Sequence, residues 1–158
     1  MASSFSSHEP LLRKYLRQTQ AKYIMEWGPG TSTSIMLEEC PDATIVSVEY
    51  DKKWFDVATE KFKEYPNVEI YLRTVHKKKC KYGMVAINHK PFDLVFVDGR
   101  RRVECAIIAM QCLRDNGVIL LHDITRIEYL VPLTPFIDVI ERDRDTIVFK
   151  PRYRICAT

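Results

Sequence analysis

Apolar positions along this chain switch repeatedly between a helical period and short unbroken runs. Over Ser7 to Gln18, the residues Leu11, Leu12, Tyr15 and Leu16 share one face behind Pro10, which predicts a helix lying on a sheet edge. Tyr23 to Glu26 is a brief apolar run ending in an acid; it breaks at Gly28 and Gly30, and Ser32 to Glu39 follows as a short helix stopped by Pro41. Thr44 to Glu49 is rich in β-branched residues and predicts a second strand. Asp51 then caps a helix carrying Trp54, Phe55, Ala58 and Phe62 at helical spacing, ended by Pro66 and Asn67. Val68 to Leu72 alternates as a third strand, and Arg73 to Pro91 is polar, lysine-rich and without a period, which predicts a solvated connection.

The second half repeats the alternation. Phe92 to Val97 is continuously apolar, the pattern of a strand covered on both faces. Val103, Ala106, Ile107, Met110 and Leu113 recur at helical spacing up to Asn116-Gly117, and Val118 to Leu121 predicts a further buried strand. A weaker helix over Arg126 to Phe136, disturbed by Pro132 and Pro135, leads to two short strands, Ile137 to Glu141 and Thr146 to Lys150, around a polar turn. Five strand-helix alternations closed by a hairpin predict an α/β fold: a mostly parallel sheet with helices on both faces and one antiparallel addition.

Length keeps this to one domain over residues 1–158, with a helix over 7–18, a ligand-binding core over 22–123 and a hairpin over 137–150. The net charge of +3 comes from basic residues spread over several segments, which argues against a nucleic-acid surface. The densest basic run, His76 to Lys81, lacks the interleaved aromatics that stack bases; a solvated loop is the expected reading, with contact to a phosphate-rich or acidic partner the alternative. Cys40, Cys80, Cys105, Cys112 and Cys156 form no metal-type spacing, and an odd count suits a reducing compartment. No run reaches the roughly 18 apolar residues of a membrane span, and the start MASSFSSHEP lacks the basic and apolar regions of a secretory leader, so the expected location is cytoplasmic.

In a sheet of this kind ligands bind at the carboxyl ends of the strands, near the point where strand order reverses. The residues there are Glu26 with Gly28 and Gly30, Glu49 followed by Tyr50, the Leu72 to Thr74 region, Asp98, and His122 with Asp123. Gly28 and Gly30 let the backbone turn and approach a ligand, and Thr31 or Ser32 can cap the next helix, whose N–H groups face that ligand. Glu26 would repel a diphosphate but welcome an ammonium, and Glu49 is placed to accept from both ribose hydroxyls of an adenosine. A nicotinamide dinucleotide, and so an NAD-dependent oxidoreductase, is the alternative ligand reading; its third loop glycine would fall at Thr33.

The segments EWGPGTS, SVEYD, FDLVFVDGR and GVILLHD together resemble class I S-adenosylmethionine-dependent methyltransferases over nearly the whole chain, in particular the small-molecule and sugar O-methyltransferase-like group with VDG and HD strand ends. The resemblance implies a Rossmann-like three-layer α/β/α sandwich around a seven-stranded sheet. It implies that Glu26, Gly28 and Gly30 hold the amino acid part of S-adenosylmethionine, that Glu49 holds its ribose, and that Asp98 lies near the methyl group; Thr31, Ser32, Tyr50 and Thr74 complete the expected cofactor set. No NPPY-like motif for nucleic-acid amines stands at the fourth strand end. The expected reaction is methyl transfer to a hydroxyl of a small molecule or glycan. His122 is the first candidate base, oriented by Asp123 or Asp98. A divalent metal held by Asp98 and Asp123, as in related metal-dependent enzymes, is the alternative way to activate the hydroxyl. Arg100 is expected to clamp an acidic acceptor group or to pair with Asp98 or Asp123, while Arg101 and Arg102 fit a solvated helix start. A non-catalytic S-adenosylmethionine-binding subunit would keep the same loop and ribose acid. The sequence carries no statement of oligomeric state.

Overall fold

A computed structural model describes residues 6–75, 81–89 and 91–153. Among these the elements run α1 (Glu9–Thr19), β1 (Tyr23–Trp27), α2 (Thr31–Glu39), β2 (Thr44–Glu49), α3 (Lys52–Lys61), β3 (Val68–Leu72), a 3-10 helix (Gly83–Asn88), β4 (Phe92–Val97), α4 (Arg102–Gln111), β5 (Leu113–His122), α5 (Ile127–Leu130), a second 3-10 helix (Thr134–Phe136), β6 (Ile137–Asp143) and β7 (Thr146–Pro151). The strands form one seven-stranded sheet in the order β3-β2-β1-β4-β5-β7-β6, parallel up to β5, with β7 antiparallel to both β5 and β6. This is the mostly parallel sheet with an antiparallel addition that the alternation predicts, and the Rossmann-like architecture that the resemblance implies. Strand order reverses between β1 and β4, so the carboxyl ends of these strands border the crevice.

The two-residue period of the strands divides the core. Ile24, Ile45, Leu94, Phe96, Val118, Leu120 and Val148 face α1, α2 and α3, while Met25, Val46, Val48, Val95, Val97, Ile119 and Leu121 face the first 3-10 helix and α4. Both faces are covered, which is why β1, β4 and the end of β5 read as unbroken apolar runs.

Four local expectations differ from what forms. Helix α1 lies against α2, β4 and β5 rather than on the sheet edge. The stretch after β3 is not a bare solvated loop: Tyr82, Val85 and Ala86 are buried where the first 3-10 helix packs on α4, while Met84 and Ile87 of the same helix stay exposed. The 76–80 part of the basic run lies outside the described residues. Helix α4 stops at Gln111, not at Asn116-Gly117, because Leu113 leaves the helical pattern to pair with Phe92 at the start of a longer β5. The weak helix expected over Arg126 to Phe136 shrinks to the single turn of α5 and the second 3-10 helix, as Pro132 and Pro135 remove the N–H groups that would continue it. Cys105 is buried in the core as the apolar pattern implies, with Cys112 packed against it.

Candidate active site

Strand β1 delivers Glu26 to a fully buried position beneath the glycine turn. There its carboxylate accepts hydrogen bonds from the hydroxyls of Ser32 (2.7 Å), Thr33 (2.5 Å) and Ser47 (2.6 Å). Ser47 is the register partner of Glu26 on β2, and Ser32 and Thr33 occupy the first turn of α2, so three hydroxyls from two elements converge on one acid. Burial raises the Glu26 pKa, and the hydroxyls only partly offset it. The carboxylate expected to face an ammonium braces the loop here, with each of its oxygens accepting from neighbouring hydroxyls. Neither Thr31 nor Ser32 caps α2: Gly30 holds the cap position, Thr31 is exposed in the first turn, and the Gly30 N–H donates to the Thr33 hydroxyl at 3.0 Å.

The two glycines do different work. Gly28 has φ +98°, a region that suits glycine, and a Cβ on it would come within 3.3 Å of the Gly99 nitrogen, so the turns after β1 and β4 interlock. A Cβ on Gly99 would in turn overlap the Tyr82 hydroxyl, which accepts from the Arg100 N–H at 3.1 Å. Gly30 is extended (φ 174°) and a Cβ there would meet nothing within 4 Å. Its missing side chain leaves open space over the start of α2.

At the end of β2, one oxygen of the largely buried Glu49 accepts from the backbone N–H groups of Tyr50 (2.7 Å) and Asp51 (2.8 Å); the other has no partner among the described residues. The Arg100 guanidinium lies over the Tyr50 ring, 5.2 Å from its centroid, and donates to the phenol oxygen at 3.1 Å. Thr74 is exposed just beyond β3.

The ends of β4 and β5 bring together Asp98, His122 and Asp123, as the sequence pattern predicts. His122 Nδ1 lies 2.7 Å from Asp98 Oδ1, while Nε2 lies 2.9 Å from the Ser7 hydroxyl and 3.4 Å from Asp145. Ser7 donates to Asp145 at 2.8 Å, which leaves its oxygen to accept from a protonated ring. Burial alone would depress the His122 pKa. The hydrogen bond to Asp98 and the charges of Asp98, Asp123 and Asp145 outweigh that and raise it. Asp145 moves the other way: burial opposes its charge, but the Ser7 hydroxyl and His122 hold its pKa below the ordinary carboxylate value. His8 packs its ring on Phe96 and edge-on to His122, its pKa lowered by burial, and its Nδ1 has no partner among the described residues.

The arginine that pairs with the acids is Arg102, not Arg100. Arg102 is 8% exposed, with NH2 3.1 Å from Asp98 Oδ1 and NH1 2.9 Å from Asp123 Oδ2. Instead of marking a solvated helix start, it reaches back one turn to the acid four residues earlier. Arg101 stays on the surface, paired with Glu104. Asp123 has φ +62°, which is unusual for a residue with a side chain. The pair expected to hold a divalent metal thus has a guanidinium between its two carboxylates, and the residues present do not fit a metal there.

Ser7, His8, Arg102 and Asp145 are the site residues that the pattern did not single out. Only Arg102 carried a signal, its spacing of four from Asp98; the others arrive from the two ends of the chain.

No protein-family model matches the chain, and no curated protein matches it in sequence. Solved structures do share its fold. A methyltransferase-like protein from Silicibacter pomeroyi is 20% identical with a TM-score of 0.78, over 96% of this chain and 87% of that one. The methyltransferase PaMTH1 of Podospora anserina, solved bound to SAH, is 20% identical with a TM-score of 0.74, over 94% and 80%. The O-methyltransferase TomG of Streptomyces achromogenes, from tomaymycin synthesis and solved with SAM, is 17% identical with a TM-score of 0.71, over 93% and 80%. At such identities the likeness establishes the fold. Among the described residues no helix is long and apolar enough to cross a membrane.

Proposed function

We propose that this chain is an S-adenosylmethionine-dependent methyltransferase acting on a hydroxyl of a small molecule or glycan. The observation that carries the proposal is the open space over Gly30 at the start of α2, with Glu49 at the end of the neighbouring strand keeping one oxygen without a partner among the described residues, at the strand-order reversal of a fold whose relatives PaMTH1 and TomG were solved with SAH and SAM. That cradle suits an adenosine carrying an amino acid tail: Glu49 has an acceptor for the ribose hydroxyls, and Tyr50 follows it directly. A diphosphate finds less here, since the Gly30 N–H is already spent on Thr33.

When bound, S-adenosylmethionine supplies an electrophilic methyl group on a sulfonium centre. The chain's own part is to orient the acceptor and move its proton. Asp98 fixes the His122 ring through Nδ1, leaving Nε2 as the atom that takes the proton, at the place now held by the Ser7 hydroxyl. Asp98 then stabilises the charged ring, and Asp145 faces the same nitrogen. Arg100, exposed beside Tyr50, is placed to meet an acidic group on the acceptor.

The occupied state of both His122 nitrogens favours a second reading, an S-adenosylmethionine-binding subunit without its own turnover. Transfer of labelled methyl to a panel of hydroxyl acceptors separates the two. The enzyme reading expects product in the wild type and at least a ~100-fold loss in His122→Ala or Asp98→Ala. Unchanged turnover in both variants contradicts the assigned roles, and cofactor binding with no product from any acceptor supports the subunit reading.

A further inference from the structure

The donor set around Arg102 is unusual for an arginine. Its Nε donates to the Gly99 carbonyl at 3.0 Å, NH1 to the His122 carbonyl at 2.7 Å and NH2 to the Asp98 carbonyl at 2.9 Å, in addition to the carboxylates of Asp98 and Asp123. Two carboxylates and three main-chain carbonyls from the ends of two adjacent strands therefore converge on one cation. All five donors are hard oxygens, the set that magnesium or calcium would take. The Tyr129 ring covers the guanidinium, with its centroid 5.2 Å from Cζ.

We infer that Arg102 is a resident cation: its guanidinium fills an oxygen-lined seat between Asp98 and Asp123 that would otherwise suit a hard divalent ion, and the site carries its positive charge covalently. A guanidinium keeps its charge across the physiological range and its planar fork satisfies several oxygens at once, so it can hold both strand ends without metal. A divalent ion could reach the two acids only by expelling the side chain from five contacts. The consequence for chemistry rests on the methyltransferase proposal: proton removal falls to His122, with Arg102 positioning Asp98, and the Asp98–Asp123 pair supplies no metal seat to turnover. The occupancy of the seat does not rest on that proposal.

The test uses manganese as probe and reads binding rather than turnover. Manganese titrations followed by paramagnetic resonance and by melting temperature would compare the wild type, Arg102→Gln, and Arg102→Gln combined with Asp123→Asn. The wild type, with single Asp98→Asn and Asp123→Asn variants as its controls, is expected to show no manganese response that either variant abolishes. Removing the guanidinium should vacate the seat, so Arg102→Gln is expected to bind manganese at least about tenfold more tightly than the wild type and to melt higher with it, an effect the added Asp123→Asn removes. If Arg102→Gln does not fold alone, manganese is expected to restore its folding. Manganese bound at Asp98 and Asp123 in the wild type overturns the inference, as does an Arg102→Gln protein, folded or not, that fails to respond to manganese. Failure of S-adenosylmethionine binding would leave these outcomes unchanged, so the two proposals fail separately.

Discussion

At the ends of β1 and β2 a single acid, Glu26, is held by three neutral hydroxyls, whereas at the ends of β4 and β5 two acids, Asp98 and Asp123, are held by a guanidinium beside a raised-pKa histidine. The first arrangement is local: Glu26, Ser32 and Thr33 lie within eight residues of chain, and Ser47 is the next strand's register partner. The second gathers Ser7, Asp98, Arg102, His122 and Asp145 from across the chain. A neutral brace makes a rigid loop that can receive a ligand without changing charge. A cluster of ion pairs makes a site whose protonation matters to its chemistry.

If the second half is the one under electrostatic tension, Arg102→Met should be the most damaging single change, because it leaves two carboxylates with only the His122 ring between them. Breaking a fully buried pair costs about 3–5 kcal/mol; with Asp98 and Asp123 partly exposed the loss here should be smaller, about 2–3 kcal/mol, to be read from denaturant unfolding. Glu26→Gln should cost less, about 1–2 kcal/mol, since its hydroxyl partners can turn to accept as well as donate. Equal losses in the two variants would erase the contrast.

The pH dependence sharpens it. His122 has a folded pKa above its ordinary 6.5, so its contribution is full below that value and lost as pH rises through the folded value. His8, with its pKa lowered by burial, works against the fold as pH falls below 6.5. Asp145, lowered from 3.8, contributes above that pH and loses its contribution as pH falls through the folded value. Melting temperature should therefore decline on the alkaline side of 6.5 in the wild type, and that slope should flatten in His122→Asn. An unchanged slope would place the titration elsewhere.

The smallest effect on folding should come from the glycine that touches nothing. Gly28→Ala is expected to cost about 1–2 kcal/mol through its left-handed backbone, while Gly30→Leu should stay within about 0.5 kcal/mol of the wild type yet weaken cofactor binding. Thermal melts and titrations on the same samples separate stability from ligand space.

How much was legible in the sequence follows the same division. The sheet, its hairpin and the strand-end acids could be read because each rests on periodicity or on neighbours in the chain. Asp98, His122 and Asp123 were found as strand ends, and the structure brings them together. The roles were harder. The bracing of Glu26 by Ser47 comes from another strand, and of the two acids that pair with Arg102 only Asp98 is near in sequence while Asp123 is distant. Leu113 fitted a helical period but is claimed by Phe92 across the sheet. In each case a long-range partner outweighed a local signal.

The most direct measurement is a calorimetric titration of the wild type and Gly30→Leu with S-adenosylmethionine, with NAD as the control ligand. The account predicts saturable S-adenosylmethionine binding to the wild type at roughly micromolar concentrations, at least about tenfold weaker binding to an equally stable Gly30→Leu, and no response to NAD. Absence of S-adenosylmethionine binding to the wild type at millimolar concentration, or tighter binding of NAD, would contradict it.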